Sequence, residues 1–249
     1  MDLEKLRHFR KLVLISLFSD DDLMELFVIK GGSAIDLVYK IDSRASVDID
    51  VSMENDLNEF ELKEMQRKLH FAIEQTFEEN GYTIFDFKLV EKPKNLCAEY
   101  ASFWGGYQVE FKIQPLSKKP LIKKDIDTAR VTAEVVGYQE AKRFTIDISK
   151  FEYCKDKTKA DIDGFTVYVY SPKMLVFEKL RAICQQMAEY PINGGRVKKP
   201  RPNDFYDIHM LINHFQIDFS GDDYDVIESI FKIKKVDLML LQLIPKYKD

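Results

Sequence analysis

The sequence predicts an α+β fold: a mixed sheet with flanking helices, followed by a C-terminal helical bundle. Alternation of apolar and polar residues with period two, the mark of half-buried strands, is confined to the chain before about residue 170. Beyond Ser171 the apolar residues recur at helical spacing instead. The 249 residues, 45% of them hydrophobic, suffice for one large domain or two smaller ones, and the change of pattern divides them into 1–170 and 171–249.

Each element has its own signal. Met1 to Phe18 is amphipathic and charged, as a surface helix is. Phe27-Val28-Ile29 reads as a short buried strand, Gly31-Gly32 as a turn that tolerates positive φ, and Ser33 as the cap of a helix carrying Ala34, Ile35, Leu37 and Val38. Val47 to Met53 alternates strictly and is a strand, and a long helix follows near 56–79. Tyr82 to Val90 is strand-like. Cys97 to Phe103, the turn Trp104-Gly105-Gly106 and the alternating Tyr107 to Gln114 read as a hairpin, so the sheet is antiparallel there. The Lys-rich segment 118–124 reads as a loop, and Phe144 to Ser149 as a strand. Ser171-Pro172 is an N-cap and N1 pair opening a helix over Lys173 to Tyr190, whose Val176, Leu180, Ile183 and Met187 form an apolar stripe. Helices near 204–215, 222–233 and 236–244 complete the chain, which has no internal repeat or low-complexity tract.

Two short segments carry chemistry. Asp48 and Asp50 lie two apart in a strand, so both carboxylates point the same way, roughly 7 Å apart along it. Such a pair repels unless one member takes a proton or both share a cation, and oxygen ligands in this number suit Mg2+. Aspartate is disfavoured in strands, which sets this pair apart from an ordinary solvated face. Fifteen residues before Asp48, Gly31-Gly32-Ser33 opens a helix whose free N–H groups and positive dipole end favour a phosphate. The turn is neither Gly-x-Gly-x-x-Gly nor a Walker loop, and its position one helix upstream of the aspartates is what distinguishes it.

The C-terminal half adds further candidates. Lys179 has Leu175 and Val176 one turn before it and Ala182 and Ile183 one turn after, which places it at the edge of a buried helix face. Asp204 and Asp207 share a helix face, and Asp204 also suits an N-cap or first-turn position. Between these helices runs a basic loop containing Gly194, Gly195, Arg196, Lys198, Lys199 and Arg201, with no acid from 191 to 203. A loop of this kind grips phosphates or is simply solvated.

Composition narrows the classes. A net charge of −5 argues against broad wrapping of nucleic acid, so any RNA contact is local, through this loop and Lys118, Lys119, Lys123 and Lys124. Cys97, Cys154 and Cys184 are odd in number and far apart, which suggests neither a disulfide framework nor a zinc cluster. His209 and His214 miss the i, i+4 spacing of a zinc helix. With no secretory signal and no apolar run of membrane length, a reducing cytoplasm is the expected location.

Lys30-Gly31-Gly32-Ser33-Ala34 together with Arg44-Ala45-Ser46-Val47-Asp48-Ile49-Asp50 resembles the first motifs of the nucleotidyltransferase-like AbiEii/AbiGii toxins, formerly domain of unknown function 1814. These belong to the polymerase-β-like nucleotidyltransferase superfamily. Glu178-Lys179-Leu180-Arg181-Ala182 matches the family's Glu-Lys-Leu-x-Ala motif, whose lysine serves the nucleotide. Asn203-Asp204-Phe205-Tyr206-Asp207-Ile208 resembles its basic-Asp-x-x-Asp-Leu pattern. Asn203 stands where a basic residue often precedes the aspartate, and Arg201 is the candidate substitute. The resemblance implies transfer of a nucleoside monophosphate from an NTP to an acceptor hydroxyl, with Mg2+ or Mn2+ on Asp48, Asp50 and a third carboxylate from a neighbouring strand. It places that acid at Glu110, with Asp86 and Asp147 as alternatives. Gly31, Gly32 and Ser33 would hold the terminal phosphates, and Lys179, Asp204 and Arg201 would complete the site. A toxin of a bacterial toxin–antitoxin pair follows from the same resemblance, with RNA such as tRNA 3′ ends as acceptor and a cognate antitoxin as partner. Protein nucleotidylation and a non-catalytic nucleotide-binding or partner-binding module are the other classes that these residues allow.

Overall fold

The computed structural model describes residues 2–41, 48–192 and 198–247. Arg44 to Val47 of the first motif, and Gly194, Gly195 and Arg196 of the basic loop, lie outside the described residues.

In chain order the elements are α1 (Leu3–Leu17), α2 (Asp21–Leu26), β1 (Val28–Lys30), a single turn α3 (Gly31–Ser33) running into a π-helix (Ala34–Val38), β2 (Ile49–Ser52) and α4 (Glu59–Glu79). Then follow β3 (Tyr82–Lys92), β4 (Gly106–Pro115), α5 (Lys119–Lys124), α6 (Ile126–Val131), β5 (Phe144–Ser149), β6 (Lys157–Ile162) and β7 (Phe165–Tyr170). The C-terminal helices are α7 (Pro172–Cys184), α8 (Pro202–Phe215) and α9 (Tyr224–Lys232), ahead of a 3-10 segment over Leu238–Tyr247. The architecture is the expected α+β arrangement. Side chains fix the ends of the helices. The Asn58 carboxamide accepts from the Phe60 and Glu61 backbone while Glu61 reaches back to the Asn58 N–H, a full capping box at the start of α4. Ser171 accepts from the Met174 N–H ahead of Pro172.

The seven strands form one mixed sheet in the order β3-β4-β5-β2-β1-β7-β6. β2 runs parallel to β5, and β1 parallel to β7; the remaining neighbours are antiparallel. Alternation gives the sheet two different faces. Ile49, Val51, Val109, Phe111, Ile146 and Ile148 point into the core, where Phe77 of α4 meets Phe111 edge-on and Phe9 of α1 stacks on Phe77. Their polar neighbours Asp50, Gln108 and Asp147 point the other way, toward α7 and α8. The core is continuous from Phe9 and Ile29 through Val169 to Ile183, Leu211 and Phe231, so residues on both sides of Ser171 share it.

Three expectations change. Residues 97–103 are turns closed by local bonds such as Tyr100 N–H to the Cys97 carbonyl, and β4 instead pairs antiparallel with β3 on one side and β5 on the other. The Lys-rich segment is helical in α5, because Pro120 sits at its start and Leu121 and Ile122 pack on Phe85. The helix begun at Pro172 stops at Cys184, although Met187 and Tyr190 continue its buried stripe through local turns.

Asp86, one of the alternative third carboxylates, lies on the edge strand β3 at a bulge, with φ of 54°. It accepts from Lys112 Nζ at 2.8 Å and from Arg130 Nε at 2.8 Å, and these cations hold its carboxyl well below the usual carboxylate range. A folded-state pKa below the unfolded value of about 4 means that the stabilisation is fully present above that pH. It is then lost as the pH falls through the folded-state value. Asp86→Asn is therefore expected to lower stability by about 1–2 kcal/mol at pH 7, and thermal melts should show the gap to wild type narrowing progressively below about pH 4.

Candidate active site

The polar face of the sheet floors a cleft of about 990 Å3, walled on the other side by α7, the start of α8 and residues 198–201. One row of side chains crosses this floor. Lys30 stands opposite Asp50 in the β1–β2 pair, Asp50 opposite Asp147 in the β2–β5 pair, and Asp147 opposite Gln108 in the β4–β5 pair. Asp50 and Asp147 are thus separated by one strand spacing, about 4.8 Å between backbones. Burial, opposed by Lys30 and reinforced by Asp147 and other nearby carboxylates, pushes Asp50 up to about 6.

The glycine turn lies against this pair. Gly31 has φ of 63°, and a Cβ added there would sit 2.7 Å from Asp50 Oδ2, so only glycine fits both the backbone and the carboxylate. Gly31 and Gly32 line the cleft, whereas Ser33 is fully buried. Its hydroxyl donates to the Asp48 carbonyl at 3.0 Å and accepts from Arg10 at 3.2 Å, in place of the expected cap. Ser33 thereby ties the turn to the start of β2.

Asp48 and Glu110 point to the same face as Asp50 but one row further along, and neither lines the cleft. The Thr145 hydroxyl donates to Asp48 Oδ1 at 3.3 Å. Glu110 is opposite Thr145, separated from β2 by β5, and pairs with Arg143 at 3.4 Å. The acid that the register brings beside Asp50 is Asp147. Among the described residues no three His, Cys, Asp or Glu are gathered closely enough to form a complete metal site. The all-oxygen pair Asp50 and Asp147, with one carboxyl raised, does fit a hard divalent cation that brings water and phosphate as its remaining ligands.

Across the cleft, Lys179 Nζ donates to Asp204 Oδ1 at 3.1 Å and Asp207 Oδ2 at 2.7 Å, and all three side chains are buried. Burial alone would lower the Lys179 ammonium; the two carboxylates outweigh it and hold it above its ordinary value. Arg201 Nε donates to Asp204 as well, which puts the substitute for the missing basic residue on the expected aspartate. Lys179, Arg201 and Asp204 all line the cleft. Within the basic loop the roles divide. Lys198 donates to the carbonyls of Met187 and Tyr190, closing the frayed end beyond α7, while Lys199 and Arg201 remain exposed on the cleft rim.

Sequence patterns gave no sign of a second charged cluster deeper in the cleft. Glu152 meets Lys30 at 3.3 Å, Arg181 at 3.2 Å and Lys234 at 3.4 Å, and Glu178 adds a contact to Arg181 at 3.1 Å. Burial would raise the Glu152 carboxyl, but the three cations overcome it and hold it well below the usual range. Burial pushes Lys234 down to about 8 against the pull of Glu152.

A nucleotidyl transferase AbiEii toxin family model (type IV toxin–antitoxin system) matches residues 13–242. No curated protein matches the chain. Among solved structures, an antigenic nucleotidyltransferase-like protein from Paracoccidioides brasiliensis is similar at 15% identity and a TM-score of 0.47, over 97% of this chain and 91% of that one. The antibiotic-resistance factor ANT(2'')-Ia is similar in solution at 10% identity and a TM-score of 0.39, over 94% of this chain and 95% of that one. Its crystal structure with adenylyl-2''-tobramycin gives 11% identity and a TM-score of 0.40, over 94% and 99%.

Two substitutions probe this architecture. Gly31→Ala should cost about 1–2 kcal/mol through the left-handed φ alone and displace Asp50, read as a lower melting temperature. Glu152→Ala leaves buried cations unbalanced and should cost about 3–5 kcal/mol in urea denaturation.

Proposed function

Since the chain belongs to the nucleotidyl transferase AbiEii toxin family and is a nucleotidyltransferase, we propose that it moves a nucleoside monophosphate from an NTP to an acceptor hydroxyl in the cleft between Asp50 and Lys179. The observation that carries this reading is the β2–β5 register, which sets the Asp147 carboxylate beside that of Asp50 on the cleft floor. Mg2+ or Mn2+ bound there would supply electrostatic stabilisation of the charge that develops on the phosphoryl oxygens. The backbone of Gly31 and Gly32 faces the terminal phosphates, and Lys179 and Arg201 balance the charge of the departing pyrophosphate. The acceptor oxygen bonds to the α-phosphorus as the bond to pyrophosphate breaks, and Asp147 takes the hydroxyl proton. Asp204 and Asp207 keep Lys179 charged and fix its ammonium at the cleft wall. In this reading residues 171–249 act as a helical domain that completes the site begun by 1–170.

The acceptor we favour, following the family resemblance, is RNA, with a tRNA 3′ end as the form to test first; on a chain of net charge −5 its contact would be local, near Lys199 at the cleft rim. A cognate antitoxin is the expected protein partner. Among the described residues no helix is long and apolar enough to cross a membrane.

The test is transfer of labelled nucleotide in a cell lysate. Asp50→Ala and Asp147→Asn should each lower labelling by at least about 100-fold, whereas Glu110→Gln should stay within about threefold of wild type. Full labelling by the Asp50 and Asp147 variants sinks the proposal. Loss of label to RNase favours the RNA acceptor, and loss to protease favours nucleotidylation of protein.

A further inference from the structure

We propose that Gln108 is a positioning residue, whose side-chain amide holds the Asp147 carboxylate in the orientation that receives a divalent cation together with Asp50. The inference rests on the reading of Asp50 and Asp147 given above. Gln108 Nε2 donates to Asp147 Oδ1 at 2.7 Å, and both residues line the cleft. A carboxylate only accepts, so the amide nitrogen is the end of Gln108 that must face it. The contact comes from β4, across β5 from Asp50, and therefore restrains Asp147 from the side away from its carboxylate partner.

The backbone beneath Gln108 is held firmly. At Gly106 a Cβ would lie 2.1 Å from the Ile148 carbonyl oxygen, so β4 and β5 approach more closely there than any side chain would allow. The next residue, Tyr107, donates its hydroxyl to Asp56 at 2.5 Å, and Asp56 also accepts from Lys150 at 2.7 Å. Gln108 thus projects from a fixed point onto a fixed strand. Its chemistry suits the task because an amide orients a carboxylate without neutralising it. A lysine or arginine at this position would supply the charge that the cation is meant to supply. At the opposite end of the row, Lys30 is shared between Asp50 and the buried Glu152, so the two carboxylates are bracketed by one neutral donor and one committed cation.

The experiment is Mn2+ binding to the full chain, followed by electron paramagnetic resonance, in wild type, Gln108→Met, Gln108→Ser and Asp147→Asn, each with its melting temperature. Both Gln108 variants should weaken Mn2+ about tenfold without altering the melt, Met because it fills the space with no donor and Ser because it is too short to reach. In the transfer assay the Mg2+ concentration giving half-maximal rate should rise about tenfold, with the rate at saturating Mg2+ within about threefold of wild type. Wild-type Mn2+ affinity in both Gln108 variants, with loss in Asp147→Asn, overturns the role of Gln108 and leaves the carboxylate reading standing. Unchanged affinity in Asp147→Asn, or no Mn2+ binding by wild type, overturns the carboxylate reading and this inference with it.

Discussion

A single buried anion, Glu152, sets the geometry of the cleft. Its carboxylate gathers Lys30 from the end of β1, Arg181 from α7 and Lys234 from just beyond α9, while its own N–H bonds the Met53 carbonyl at the end of β2. Three segments far apart in sequence are therefore referred to one point. Buried cations tolerate displacement poorly, because each would lose its counter-charge where water is scarce. The walls of the cleft are thus fixed relative to its floor by electrostatics as well as by apolar packing, and Lys234 gains two backbone carbonyls, those of Phe103 and Lys150, in the same place.

The same economy of position governs the glycine turn. Gly31 is where the backbone changes direction, and it is also the surface against which the Asp50 carboxylate rests. The glycine turn and the start of β2 are consequently tied together, with Ser33 and Arg10 bracing them from behind. The π-helix that follows, over Ala34–Val38, is an irregularity of the kind that often accompanies functional sites.

Much of this was legible in the sequence, and the gaps have physical causes. The Asp48-x-Asp50 strand, the Gly31-Gly32 turn and the helix carrying Lys179 each have a local periodicity, and local periodicity is what a sequence displays. Which strand adjoins β2 is a long-range fact. Glu110, Asp86 and Asp147 all sit in alternating segments, and only the parallel pairing of β2 with β5 separates them. Glu152 and Lys234 were not legible. The first stands in a segment without period, and the second sits in a lysine-rich run that looks like solvated surface. Lys198 was equally opaque, because a lysine that closes a helix end is written in the same letters as one that waits for phosphate.

The parallel pairing of β2 with β5 also orders events during synthesis. Asp50 meets its neighbour only after the chain has been made as far as Asp147, and Lys179 is flanked by its carboxylates only once α8 exists. Contacts of such long sequence separation form late, after the local helices and hairpins. A chain interrupted on the ribosome or truncated before α8 carries the glycine turn and the acidic strand but not the assembled cleft. The cleft is therefore a property of the finished fold, since no shorter stretch of chain brings β5 and α8 to the acidic strand and Lys179 together.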